Sequence, residues 1–154
     1  MTLTHMAEEV AELLRRRRDT IVVAETSTGG LISSALLAVP GASAYYKGGS
    51  VLYTYGSRKK LLGIKAQDVE GLAPMSEAMV MAFAQKAQAQ FASTWAIAEL
   101  GIAGPTGLAY GEAGSSVIGI AGPNPVSALL NTGSSEREDN MWRFTGHALS
   151  LLCK

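Results

Sequence analysis

Three hydroxyl residues stand in a row in this chain, Thr26, Ser27 and Thr28. They follow the apolar run that starts at Ile21 and lead through Gly29 and Gly30 into a second apolar run, IVVAETSTGGLISSALL. A hydroxyl in such a place can attack a carbonyl carbon or donate a hydrogen bond to an oxyanion. Two glycines let backbone come close to a ligand, and a helix start offers free N–H groups to an anion. The same three residues would also serve as caps for the helix that follows. A G-x-G-x-x-G fingerprint is absent from the stretch, so a dinucleotide site has no support.

Two further stretches hold candidate site residues. In VPGASAYYKGGSVLYTYGSRKKLLGI, residues 39–64, Tyr45, Tyr46, Tyr53 and Tyr55 are four of the five tyrosines, and Lys47, Arg58, Lys59 and Lys60 lie beside them. Such a cluster serves either packing or stacking against a ligand ring, and the cations serve either solvation or anion binding. In LGIAGPTG, residues 100–107, Gly101, Gly104, Pro105 and Gly107 read as a rigid turn whose N–H groups could cradle an anion, or as an ordinary loop.

The elements that must position these residues can be read from periodicity. The pattern predicts helix over 5–18, strand 20–24, helix 28–38, strand 49–55 and a short helix near 57–63. It continues with helix 75–91, strands 94–100, 114–121 and 126–132, and a last helix over 136–152. Met75, Met79, Phe83, Ala87 and Phe91 recur at helical spacing and read as core. Gly122-Pro123-Asn124-Pro125 reads as the turn of a hairpin. Helix–strand alternation followed by a hairpin predicts α/β layers around a mixed sheet. Ligands of such sheets bind where strands end and helices begin, which is where residues 26–30 fall.

Composition sets the outer bounds. A chain of 154 residues reads as one domain over 1–154, and a domain of this size buries roughly 68–70% of its unfolded surface. Hydrophobic residues make up 47% and charged ones 17%, which argues against disorder. The 13 basic and 13 acidic residues cancel, so no basic excess points to nucleic acid. The one basic run, residues 15–18, reads as the close of a helix, where cations favour the macrodipole, or as a phosphate-binding patch. Cys153 is the only cysteine, and His5 and His147 are too sparse for a metal site, so no metal and no cofactor are expected. The apolar runs are shorter than a membrane span, and the start does not read as a signal peptide. A cytoplasmic protein without a membrane partner is the expectation.

Taken together and in order, the three stretches resemble one family, the C-terminal domain of the competence-damage-inducible (CinA) proteins, known also as nicotinamide mononucleotide deamidase. Its pattern runs AES-x-TGG, PG-S-S-A, G-x-V-x-Y-S-N-x-x-K-x-x-LLGV, TGIAGP and a late G-D-R. This chain has Ala24-Glu25-Thr26-Ser27-Thr28-Gly29-Gly30 and Pro40-Gly41-Ala42-Ser43-Ala44. It then has Gly49-Ser50-Val51-Leu52-Tyr53, Arg58, Leu61-Leu62-Gly63-Ile64, Gly101-Ile102-Ala103-Gly104-Pro105 and Ser135-Glu136-Arg137. The likeness extends over about residues 6–152. It implies a three-layer α/β/α sandwich around a mixed sheet, a homodimer, and hydrolysis of the carboxamide of nicotinamide mononucleotide with release of ammonia. The dimer is expected to place residues 45–49 near its shared surface.

The resemblance also assigns roles. It puts Thr26 where the family has a nucleophilic Ser, and Arg58 where it has a Lys acting as base. Ser27 and Thr28 would meet the reacting group with Thr26. Gly29, Gly30, Gly49 and Tyr53, with Gly101, Ala103, Gly104 and Pro105, would line the ligand, and Arg137 with Arg58 would hold its phosphate or carboxylate. Thr is a feasible nucleophile, but a guanidinium stays charged at working pH and cannot accept a proton. Tyr55 and Leu100 depart from the pattern as well. Three functions therefore stand side by side: an amidohydrolase with an altered pair, a non-catalytic binding or regulatory protein that takes a small nucleotide or amide in the same pocket, and a structural protein with no ligand.

Overall fold

The computed structural model describes residues 2–153. Five strands form one sheet in the order β2-β1-β3-β4-β5. Strand β1 (Ile21–Glu25) lies parallel to β2 (Tyr46–Val51) and to β3 (Trp95–Ile102), while β4 (Ser115–Ala121) and β5 (Val126–Asn131) continue antiparallel. Every residue of β1 is buried, as expected of a parallel strand covered on both faces.

Helices cover both faces, giving the three-layer α/β/α sandwich around a mixed sheet. On one face α1 (Leu3–Arg17), α2 (Leu31–Ala38) and α5 (Arg137–Leu152) pack Val10, Leu14, Ile32, Leu36 and Leu149 against Ile21, Val23, Ile97, Ile118 and Ile120. On the other, α4 (Glu77–Phe91) packs Met79, Val80, Phe83 and Ala87 against Val22, Ala24, Ala96, Ala98 and Val117. The alternation along β1 and β3 feeds the two cores, since neighbouring strand residues face opposite sides. It also fixes Glu25 and Glu99, paired across β1 and β3, on the α2/α5 face.

Local chemistry sets the element ends. The Thr2 hydroxyl accepts from the His5 N–H at 3.1 Å to start α1, and Arg18 closes it in the left-handed region at φ 59°. Ser76 caps α4 through the Met79 N–H. Between β2 and α4, the short helix α3 (Tyr55–Ser57) opens with a reciprocal Thr54/Ser57 capping box and widens into a π-type turn, Arg58–Leu62. Two 3-10 turns, Ala42–Ala44 and Ala66–Asp68, are not visible in the sequence pattern.

Two expectations need correction. β2 covers Tyr46–Val51, not 49–55, because Gly48 and Gly49 are inside the ladder opposite Val22 and Val23. A side chain at Gly49 would collide with the Tyr46 hydroxyl, Ser33 Oγ and the Val23 carbonyl, so this glycine lets α2 lie close to the strand. Tyr45, expected with residues 46–49 near a shared dimer surface, is itself part of the core: it is 1% exposed, and its hydroxyl donates to the Leu36 carbonyl. Among the described residues no helix is long and apolar enough to cross a membrane.

Candidate functional site

The 26–28 segment is held by two buried carboxylates. Glu25 accepts the N–H groups of Ile32 and Ser33, each at 3.1 Å, and the Thr28 hydroxyl at 2.5 Å. It thereby occupies the first turn of α2, whose N-cap, Gly30, offers no side-chain bond. This corrects both sequence expectations for the segment: Thr26, Ser27 and Thr28 are not the direct helix caps, and the N–H groups of Ile32 and Ser33 already have an acceptor, supplied by the chain itself.

Glu99 holds the other side. Its Oε1 accepts the N–H of Thr26 at 2.8 Å and of Thr28 at 3.1 Å, and lies 2.9 Å from the Thr28 hydroxyl. Its Oε2 takes a short hydrogen bond from the Ser27 hydroxyl. Thr28 Oγ1 carries one hydrogen and cannot donate to Glu25 and Glu99 at once. Glu99 is fully buried, and that burial pushes its carboxyl above the usual range, although hydrogen bonds from Ser27, Thr26 and Thr28 oppose the shift.

In front of this pair opens a cavity of about 410 Å³, within the roughly 300–1,000 Å³ usual for small-molecule sites. Thr26, Ser27, Tyr53, Arg58, Gly101, Ala103, Gly104, Pro105 and Arg137 lie on its walls, with Ile102, Thr106, Leu108 and Tyr110. Thr26 and Ser27 are 4% and 7% exposed, so little more than their edges reach the cavity. Of the sequence-predicted site residues, Thr28, Gly29, Gly30 and Gly49 stand off its walls. Thr28 is consumed by the two carboxylates, Gly29 and Gly30 turn the chain with φ 61° and 104°, and Gly49 serves packing.

The cations are fixed by their surroundings. Arg58 sits between the rings of Tyr55 and Phe83, 5.0 and 5.2 Å from their centroids, and its Nε donates to the Leu52 carbonyl at 3.3 Å. Burial pushes its pKa down from the ordinary value, yet a guanidinium remains a permanent cation. Arg137, at the start of α5, donates to the Gly104 carbonyl and, at 3.1 Å, to the Tyr53 hydroxyl. Gly101 belongs to the end of β3 rather than to the turn beyond it. In that turn, the Ala103 and Gly104 carbonyls anchor Asn140 and Arg137.

Three further side chains shape the site. Glu99 had a signal: it is the one charge inside WAIAELGI, a strand otherwise apolar. Asn140 is buried on α5 and ties the Ala103 and Ser134 carbonyls, both at 2.9 Å, to the Thr132 hydroxyl at 2.6 Å. Nothing in its neighbourhood, REDNMWRF, marks it. Tyr110 reaches the cavity from a loop, and burial followed by its contacts with Tyr55 pushes its hydroxyl's pKa up. A larger opening of about 650 Å³ between α1 and α5, walled by His5, Met6, Trp142 and Cys153 among others, includes neither the 26–28 nor the 101–105 segment. Among the described residues no three His, Cys, Asp or Glu side chains gather as a metal site would require.

Residues 3–154 match the model of the CinA C-terminal domain. The chain is 38% identical over 124 residues to a CinA-like protein of Prochlorococcus marinus (strain MIT 9313), covering 80% of this chain and 29% of that protein. It is 36% identical over 150 residues to a CinA-like protein of Gloeobacter violaceus, covering 96% of this chain and 35% of that one. It thus spans about a third of the length of the curated relatives it matches. The fold is also that of the competence damage-inducible protein A (ComA) from Klebsiella pneumoniae, with a TM-score of 0.90 at 24% identity over 99% of this chain and 96% of that one. The chain belongs to the CinA C-terminal domain family.

Proposed function

We propose that the cavity in front of Thr26 and Ser27 binds a small anionic amide and hydrolyses it, nicotinamide mononucleotide being the substrate that the family resemblance implies. One observation carries this reading. Hydroxyls, two cations and the end of β3 converge on a single cavity of about 410 Å³, although they come from four separate stretches of sequence. Arg58 and Arg137 suit the phosphate, because a guanidinium fork matches an anion's oxygens. Tyr53 and Tyr110 put aromatic side chains on the cavity wall, which suits a pyridine ring. The amide carbonyl then meets Thr26 and Ser27 on the cavity wall. Arg58 cannot take the role of base, so hydrolysis needs another proton acceptor. A homodimer, which the family also implies, is part of the proposal.

A second reading keeps the ligand and drops the chemistry. Arg58, stacked between Tyr55 and Phe83, is a fixed anion clamp in either case, and a binding protein would need nothing more. Both readings require that nicotinamide mononucleotide bind. Titrated to millimolar concentration, it is expected to raise the melting temperature by mass action, about 2.7 kcal/mol of stabilisation at 100 times Kd. A wild-type melting temperature that does not move would reject the cavity as a site for this ligand. Release of ammonia separates the two readings from each other.

A further inference from the structure

We propose that Ser27 and Glu99, rather than Thr26 and Arg58, are the nucleophile and general base of this cavity; the proposal rests on the hydrolytic reading above. The two side chains are in hydrogen-bond contact, Ser27 Oγ to Glu99 Oε2. Ser27 lies on the cavity wall, and Glu99 stands behind it, fully buried. The carboxylate is aimed. Its Oε1 is taken by the Thr26 and Thr28 N–H groups at 2.8 and 3.1 Å, which leaves Oε2 turned toward Ser27. Thr26 meets Glu99 through its backbone, not its hydroxyl.

Gly101 completes the arrangement. A Cβ there would lie 2.2 Å from Ser27 Oγ, 2.7 Å from Glu99 Oε2 and 3.0 Å from the Phe144 ring, so the pair occupies space that only glycine leaves open. The charged groups facing Glu99 are Glu25, across Thr28 on β1, and Arg58, whose cation feels the Glu99 charge from the cavity side. Phe144 of α5 closes the site without charge. Burial raises the Glu99 pKa toward the range where a carboxylate is an effective base.

In the reaction, Ser27 Oγ bonds to the amide carbon while its proton passes to Glu99 Oε2, and the carbonyl π pair moves onto oxygen. The tetrahedral species collapses. The C–N bond breaks, Glu99 returns the proton to nitrogen, and ammonia leaves. Water then attacks the Ser27 ester, giving its proton to Glu99. The ester bond breaks, Ser27 recovers a proton and the carboxylic acid departs. Arg58 and Arg137 hold the anion throughout.

A fluorophosphonate probe tests the pair without relying on the natural substrate. The serine oxygen would bond to phosphorus, fluoride would leave and the proton would go to Glu99. Peptide mapping of the labelled wild type should find the adduct on Ser27. The labelling rate should rise with pH to a plateau as Glu99 ionises. Glu99→Gln, nearly isosteric, should slow it at least about 100-fold, the low end of what general-base catalysis contributes. No wild-type adduct at millimolar probe, an adduct on Thr26, a flat pH profile, or a folded Glu99→Gln variant labelled at the wild-type rate would each overturn the proposal. Labelling of Ser27 that depends on Glu99, in a protein that releases no ammonia from nicotinamide mononucleotide, would support the pair and reject that substrate.

Discussion

Arg58 stands at the position where the family pattern has lysine, and the two cations do different chemistry. A lysine can lose its proton when buried, whereas a guanidinium cannot, so this site keeps the charge and must find its base elsewhere. Arg58→Ala is expected to raise the Kd for nicotinamide mononucleotide about 10- to 100-fold, the loss of a charge-assisted contact worth about 1.5–3 kcal/mol. Isothermal titration checks this, and an unchanged Kd would remove Arg58 from the ligand's environment. Glu99 makes a second prediction. Its folded pKa lies above that of an unfolded glutamate, about 4.3, because burial disfavours its anion. The folded state therefore holds its proton over a pH window in which the unfolded chain has released it. The Glu99 contribution to stability is full below the unfolded pKa and is lost as pH rises through the folded one. Denaturant titrations from acid to neutral pH should show this decline in the wild type and its absence in Glu99→Gln. Equal slopes would mean that Glu99 is ionised as easily in the fold as outside it.

At the scale of elements, β3 carries the heaviest demands, since it presents Glu99 to the 26–28 segment and Gly101 to the cavity wall. Gly101→Ala would drive a methyl group into Ser27, Glu99 and Phe144. It is expected to cost about 1–3 kcal/mol, lowering the melting temperature by roughly 2–4 °C for each kcal/mol in a chain of this size. A melting curve like that of the wild type would show that the pair has room to move aside. The elements themselves were legible to different degrees. The α4 register is plain, because Met79, Phe83 and Ala87 recur on one buried face, but the periodicity runs too far at both ends: Met75 precedes the helix, and Phe91, its last residue, is exposed rather than core. The β4–β5 hairpin was plain from Gly122 and its two neighbouring prolines. The pattern starts β2 three residues late because glycine argues against a strand, and the close approach of α2 to Gly49 is visible only in the fold. The start of α2 escapes the sequence pattern for a physical reason of another kind. Its cap is Glu25, seven and eight residues before the N–H groups it receives, outside the local capping pattern.

For the whole molecule, the sheet brings together what the sequence keeps apart. The family's recurring segments could be recognised along the chain, but the pairing of β1 with β3 that sets Glu25 beside Glu99 is a tertiary fact. The clamp of Asn140 on the turn after β3 is another, because its partner there, the Ala103 carbonyl, lies 37 residues away. A lone asparagine in an amphipathic helix gives no hint of such a role. Light scattering at micromolar concentration is expected to give the mass of a dimer, and a monomer would reject that part of the proposal. The hydrolytic role of the cavity is tested most directly by incubating the wild-type protein with nicotinamide mononucleotide and measuring ammonia. Saturable release that falls at least about 100-fold in Glu99→Gln is the expected result. A wild-type protein that binds the nucleotide and releases no ammonia would contradict the hydrolytic account and leave a binding protein in its place.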